Sequence, residues 1–282
     1  MHTLAFVNQK GGCGKTTTAV HLAGALAKRG VQVLLVDLDP QAHATMALGC
    51  PVDEEEGDVS LADVLLHGRS PLEVLRPAAG GIALLPSTLK LAEFEEAAER
   101  VLHSEGFLAR ALAHLSDYSF VLIDCPPRAD GVLTANALRA CDTAVLVVET
   151  GAFALQGAFR AIGILEQVAQ GMDTTFDLRV VGTLFDRRVR LARELLIGTQ
   201  ARFGSLMFDT VIHESIRLRE AAAFGVPVQL LDPDCRAVRD FDALAEEVAS
   251  LADRPRREAR RGSLDRSRSF VSFQGVSETW MG

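Results

Sequence analysis

The chain has 282 residues, 48% apolar, 6% aromatic and 23% charged, enough to bury a core in one large domain or two small ones. Its longest apolar runs, such as 31–36 and 144–148, fall far short of the roughly 20 residues that span a bilayer, and no basic region with an apolar signal core opens the chain, so a cytoplasmic protein is expected. Five scattered cysteines without a C-x-x-C pair argue against a disulfide framework or a zinc site, and the net charge of −8 opposes nucleic-acid binding except through a local patch.

Short apolar runs alternate with helical patterns. In chain order, strands are expected at 4–8, 31–37, 81–85, 119–124, 143–148 and 178–185; helices are expected at 15–29, 89–102, 107–115, 155–169 and 189–203, among others. Strands apolar throughout and separated by helices imply an α/β fold, a mostly parallel sheet covered on both faces, with ligands at the carboxyl ends of the strands. No internal repeat or long linker interrupts residues 1–253, which are read as one domain. Residues 254–268 then hold seven arginines against Glu258 and Asp265, and 254–282 is read as a disordered Arg/Ser-rich tail.

The first strand runs into NQKGGCGKTTT. Gly11, Gly12 and Gly14 permit a tight turn whose N–H groups converge on an anion, and the helix opening at Lys15 offers its positive end to the same phosphates. In a P-loop of this kind Lys15 reaches the β- and γ-phosphates and Thr16 ligates Mg²⁺. The usual spacing requires glycine at position 9, where this chain has Gln9, and Lys10 is a second lysine on the loop. A second cation near a triphosphate stabilises charge developing on the phosphoryl oxygens, whether it acts in its own subunit or across an interface.

Two acidic signals follow. VDLDP ends a strand with Asp37 and Asp39 two residues apart and leaning to one side, and YSFVLIDCPP ends another with Asp124, placed to hold Mg²⁺. Taken with LTANAL and LREAAAFGVPV, these motifs closely resemble the ParA/MinD family of deviant Walker ATPases over roughly residues 3–250, above all its partition-type, Soj-like branch.

The resemblance implies a P-loop ATPase with ATP and Mg²⁺ as its ligands. Gly11, Gly12, Cys13, Gly14, Lys15, Thr16 and Thr17 cradle the nucleotide, and Lys10 reaches across an ATP-dependent homodimer to the partner's phosphates. Asp39 positions the attacking water, and Asp37 lies close to the Mg²⁺ held by Thr16 and Asp124. Adenine, favoured also by the lack of an N-K-x-D motif, sits near Phe185, Asp186 and the loop at Pro233; Phe185 reads equally well as a packing residue.

On the same resemblance, Arg188 and Arg217 grip duplex DNA without reading sequence, which places the protein on the nucleoid. A ParB-like protein or an adaptor stimulates slow ATP hydrolysis, and a chromosome, plasmid or protein assembly is the cargo. The alternative for both arginines is a solvated helix face paired with Glu194, Glu214 and Glu220. The chain departs from the family in QAH (Gln41–His43), where QGN is common, and in the charged Arg128-Ala129-Asp130 after DCPP.

Two other readings share the loop. A MinD-like membrane switch needs a continuous apolar helical face near the C-terminus, which Gly275 interrupts among Phe270, Phe273, Val276 and Trp280, so no membrane partner is expected. An iron-protein-like redox enzyme needs two cluster-binding cysteines, whereas Cys125 and Cys141 read as small buried residues.

Overall fold

The computed structural model describes residues 1–98, 100–151 and 154–252; the expected tail at 254–282 lies outside them. In chain order the elements are β1 (His2–Val7), α1 (Lys15–Lys28), β2 (Val33–Asp37), α2 (His43–Ala47), α3 (Leu61–His67), α4 (Pro71–Val74), β3 (Arg76–Ala78), β4 (Ile82–Leu85), α5 (Leu91–Ala98) and α6 (Phe107–Leu112). There follow β5 (Phe120–Asp124), α7 (Val132–Ala140), β6 (Thr143–Glu149), α8 (Ala154–Gly171), β7 (Asp177–Phe185), α9 (Arg190–Phe203), β8 (Met207–His213), α10 (Ile216–Ala223), α11 (Val228–Leu231) and α12 (Arg236–Ala252).

The strands form one sheet in the order β3-β4-β2-β5-β1-β6-β7-β8, parallel throughout except for the antiparallel β3–β4 pair. Alternation along each strand divides the core. Phe6, Leu35, Leu122 and Val145 pack with α1 and α12 on one face, and Val7, Leu34, Ile123 and Ala144 pack with α3, α5, α6 and α7 on the other. A smaller cluster seats Leu146, Val148 and Val180 under α8 and α9. Residues such as Leu22 and Leu35 are 0% exposed, and truncating one to alanine costs about 2–5 kcal/mol.

The expected strands are all present, with ends shifted by at most two residues. Two strands were not expected. β3 has three residues, with Pro77 at its centre, and β8 is an edge strand whose Asp209 is exposed, so neither shows an apolar run. The helix expected at 89–102 is shorter, α5 ending at Ala98, and His103 then takes a left-handed backbone (φ 58°) that no continuing helix allows. Among the described residues, no helix is long and apolar enough to cross a membrane.

Candidate active site

β1, β2 and β5 deliver the glycine loop, Asp37 and Asp124 to one edge of the sheet. Asp124 pairs in register with Phe6 on one side and Asp37 on the other. Asp37 shares the face of Val33 and Leu35, and Asp124 that of Phe120 and Leu122, so both carboxylates project toward α1.

The loop is held from both ends. The Asn8 side-chain amide donates to the Val147 carbonyl (2.6 Å), and its Oδ1 accepts the Lys10 N–H (3.1 Å). Gly12 and Gly14 have φ of 76° and 94°, which side-chain-bearing residues adopt only with strain. The Thr183 hydroxyl donates to the Cys13 carbonyl (2.7 Å), and the Cys13 thiol is buried against the Lys10 carbonyl. Burial pushes that thiol's pKa up. No side chain caps α1, so the N–H groups of its first turn are left for an anion.

The two lysines part company here. Lys15, 7% exposed, curls back so that Nζ donates to the Lys10 carbonyl at 3.1 Å. Lys10 turns outward, 59% exposed, and its ammonium pairs with Glu149 at the end of β6. It borders a separate recess of about 330 Å³ with Gln156, Gly157 and Arg160.

Asp37 is fully buried and its oxygens are engaged: Oδ2 accepts from the Thr45 N–H and hydroxyl, both at 2.7 Å, and Oδ1 from the Asp39 N–H at 3.2 Å. Burial raises its pKa to about 6 against these bonds. Asp124 differs, because both its oxygens are buried and, among the described residues, neither has a partner at full hydrogen-bond geometry, the Thr16 hydroxyl lying just beside them. Burial first, and the neighbouring Asp37 second, push its pKa well up, while the Thr16 hydroxyl and Lys15 act against them. A buried carboxylate beside a threonine hydroxyl is a hard-oxygen donor set that fits Mg²⁺. Asp37 fits as a neighbour of that site, its own oxygens being taken by Thr45 and Asp39.

A cleft of about 540 Å³ opens over the loop. Gly11, Gly12, Gly14, Lys15, Thr16 and Thr17 line one side and Asp39, Gln41 and His43 another, with apolar walls from Val20, Met46, Ala47, Leu184, Leu218 and Ala222. Most of the loop residues named from sequence therefore meet Asp39 in one cavity. Asp39 is fixed there, its carbonyl accepting the Ser87 hydroxyl (2.6 Å) and its Oδ1 the Gln41 N–H (3.0 Å). Ala42, next to it, holds a left-handed backbone at φ 54°.

Phe185, Asp186 and Pro233 are not among the described residues lining this cleft. Phe185 packs edge-on against His213, with ring centroids 5.2 Å apart, and Pro233 is exposed. Asp186 is forked by Arg188 at 2.8–3.2 Å, which holds its carboxyl at about 2. Leu184, at φ 53°, takes the place at the cleft. Arg217 bridges Glu220 (2.8 Å) and Asp232 (3.0 Å), so both arginines named for DNA are exposed yet ion-paired within this chain.

A family model described as an AAA domain matches residues 1–178. The chain is 35% identical over 252 residues to the sporulation initiation inhibitor protein Soj of Bacillus subtilis, covering 88% of this chain and 98% of that protein. It is 39% identical over 255 residues to the chromosome-partitioning ATPase Soj of Thermus thermophilus, covering 87% and 94%. A solved structure described as cobyrinic acid a,c-diamide synthase from Mycobacterium smegmatis, with bound ATP analogue and magnesium, superposes with a TM-score of 0.79 at 30% identity, over 90% of this chain and 96% of that one. With a glycine loop of deviant spacing, a second lysine and paired carboxylates on a parallel sheet, and with these relatives along nearly its whole length, the chain belongs to the ParA/MinD family of P-loop ATPases.

Proposed function

We propose that this protein is a ParA-type ATPase whose ATP-bound form dimerises, binds duplex DNA through Arg188 and Arg217, and is reset when a ParB-like partner or an adaptor stimulates hydrolysis. The observation that carries the reading is the opposite orientation of the two loop lysines. Lys15 folds over its own loop, while Lys10 stands outside its own cleft, exposed and paired with Glu149. A cation so placed is free to serve a nucleotide facing it from a second copy.

Within one subunit, the loop N–H groups and Lys15 bind the phosphates and Asp39 orients the attacking water. Thr16 and Asp124 hold Mg²⁺, which draws charge off the phosphoryl oxygens when bound. Adenosine lies along the apolar wall of Leu184, Leu218 and Met46. The arginine contacts are to phosphate and therefore independent of sequence and sensitive to salt.

A mixing experiment tests the dimer. Lys10→Ala and Asp39→Ala chains are each expected to be inactive alone, and their heterodimer should recover ATP turnover at one composite site. No recovery, with heterodimers shown to form, means that Lys10 serves its own nucleotide. Arg217→Glu is expected to abolish ATP-dependent binding to duplex DNA, and wild-type binding by that variant at low salt excludes the patch.

A further inference from the structure

His21 lies on α1, six residues past Lys15, and is 1% exposed at the back of the nucleotide cleft. Its ring meets the backbone of two other elements. Nδ1 accepts the Val228 N–H, at the start of α11, at 3.1 Å, while the Leu218 carbonyl of α10 lies near the ring without completing a hydrogen bond to it. Accepting at Nδ1 selects the neutral tautomer with its proton on Nε2. The His21 carbonyl in turn accepts the Gln229 amide at 2.9 Å, and Phe241 of α12 packs on the ring with centroids 5.4 Å apart.

The same pair of helices is clamped elsewhere. A Cβ on Gly24 of α1 would stand 2.7 Å from Pro227 Cβ, and one on Gly225, in the α10–α11 turn, 2.8 Å from the Gly49 Cα just past α2. Gly225 and Gly49 both have positive φ. α10 and α11 are thus wedged between the phosphate-binding helix and the end of the segment that carries Asp39. Leu218 and Ala222 of α10 also form part of the cleft wall.

We infer that His21 is a positioning residue that transmits nucleotide occupancy from the phosphate-binding helix to α11 and its neighbour α10, which carries Arg217. A ligand that orders the first turn of α1 orders the ring one and a half turns on, and through Nδ1 the backbone at Val228 and the turn that joins α11 to α10. Packing alone would tolerate any side chain of similar volume. This arrangement needs an acceptor at Nδ1, because losing it orphans the buried Val228 N–H. The inference rests on the nucleotide site and deepens the switch reading, and it holds whether or not the α10 surface binds DNA.

Amide hydrogen exchange on the full chain, with and without Mg²⁺ and a non-hydrolysable ATP analogue saturating for each variant, tests it. In the wild type, nucleotide should slow exchange at 216–231 by roughly tenfold, a usual size of coupling between sites. His21→Leu should lose that response while residues 15–20 keep theirs. His21→Gln, whose amide oxygen offers an acceptor for the Val228 N–H, should restore it. Val228→Pro removes the N–H without touching His21 and should act like His21→Leu; proline suits the first turn of a helix, and Pro227 already has the ψ of 150° that a following proline requires. Exchange at 216–231 that ignores nucleotide in the wild type, or responds undiminished in His21→Leu or Val228→Pro, overturns the inference. Failure of DNA binding in the wild type would instead remove only the DNA reading.

Discussion

Replacing His21 with glutamine isolates one protonation from every other in the protein. Burial lowers the His21 pKa from 6.5 to about 4, against the opposing pull of the Leu218 carbonyl. In the unfolded chain the ring takes up its proton near the ordinary value, so between the two values the unfolded state binds more protons than the folded one. The stability that neutral His21 contributes is therefore complete above about pH 6.5 and is lost as pH falls toward 4. At roughly 1.4 kcal/mol per pH unit the full loss is about 3 kcal/mol, with about 2 kcal/mol already gone by about pH 5. Other titrations are common to both chains and cancel in the difference. Urea unfolding of wild type and His21→Gln across this range should show the wild type losing that much relative to the variant. A difference that stays flat with pH refutes a buried neutral ring that accepts the Val228 N–H, as does one that moves the other way.

Other perturbations follow from the same geometry. Lys15→Ala should weaken ATP binding by roughly tenfold to a hundredfold, the worth of a charge-assisted contact, measured by fluorescent-nucleotide titration; unchanged affinity would remove Lys15 from the phosphate site. Asp39→Ala should slow hydrolysis by about a hundredfold or more while the ATP-bound dimer persists on size-exclusion chromatography, and only monomer with ATP would count against its role. Ala42→Gly should stabilise the chain by about 1 kcal/mol, since a left-handed alanine costs roughly 1–2 kcal/mol and glycine's greater freedom when unfolded returns part of that; a lower urea midpoint would be the contrary result. Glu149→Gln should change stability by less than about 1 kcal/mol, as expected for a pair exposed on the lysine side, yet lower the ATP concentration at which dimers appear in light scattering. A higher threshold would mean that Glu149 helps the dimer form.

The core strands were legible because each is buried on both faces, which leaves an apolar run such as Leu34–Val36 or Val121–Ile123 that no surface element needs. β8 escaped because the sheet ends there. Its Asp209 and Thr210 N–H groups are covered not by a further strand but by the Glu247 carboxylate of α12, at 2.8 Å each, so the sequence carries polar residues where a central strand has valine. The α5 boundary was misjudged because the apolar spacing continues past the residue at which the backbone turns.

At the site, what local spacing controls could be read, and what tertiary contacts control could not. Glycines, Lys15, Thr16 and the terminal Asp of an apolar strand lie within one loop or one strand, where chemistry follows from neighbours in sequence. The apolar cleft wall does not. β7 shifts register against β8 between Gly182 and Phe185, and with the left-handed backbone at Leu184 it is Leu184 that lines the cleft, a placement strand alternation does not foretell. His21 gives no sequence signal either, since its partner Val228 lies 207 residues away. Lys10 shows the limit most plainly. Its identity as a second cation is visible in eleven letters, but its direction is set by Glu149, 139 residues distant, at the end of a strand adjoining its own. Two lysines that read alike in sequence are separated by the fold into one that closes over its own loop and one presented outward, and turnover by mixed Lys10→Ala and Asp39→Ala chains decides whether that separation serves a second subunit.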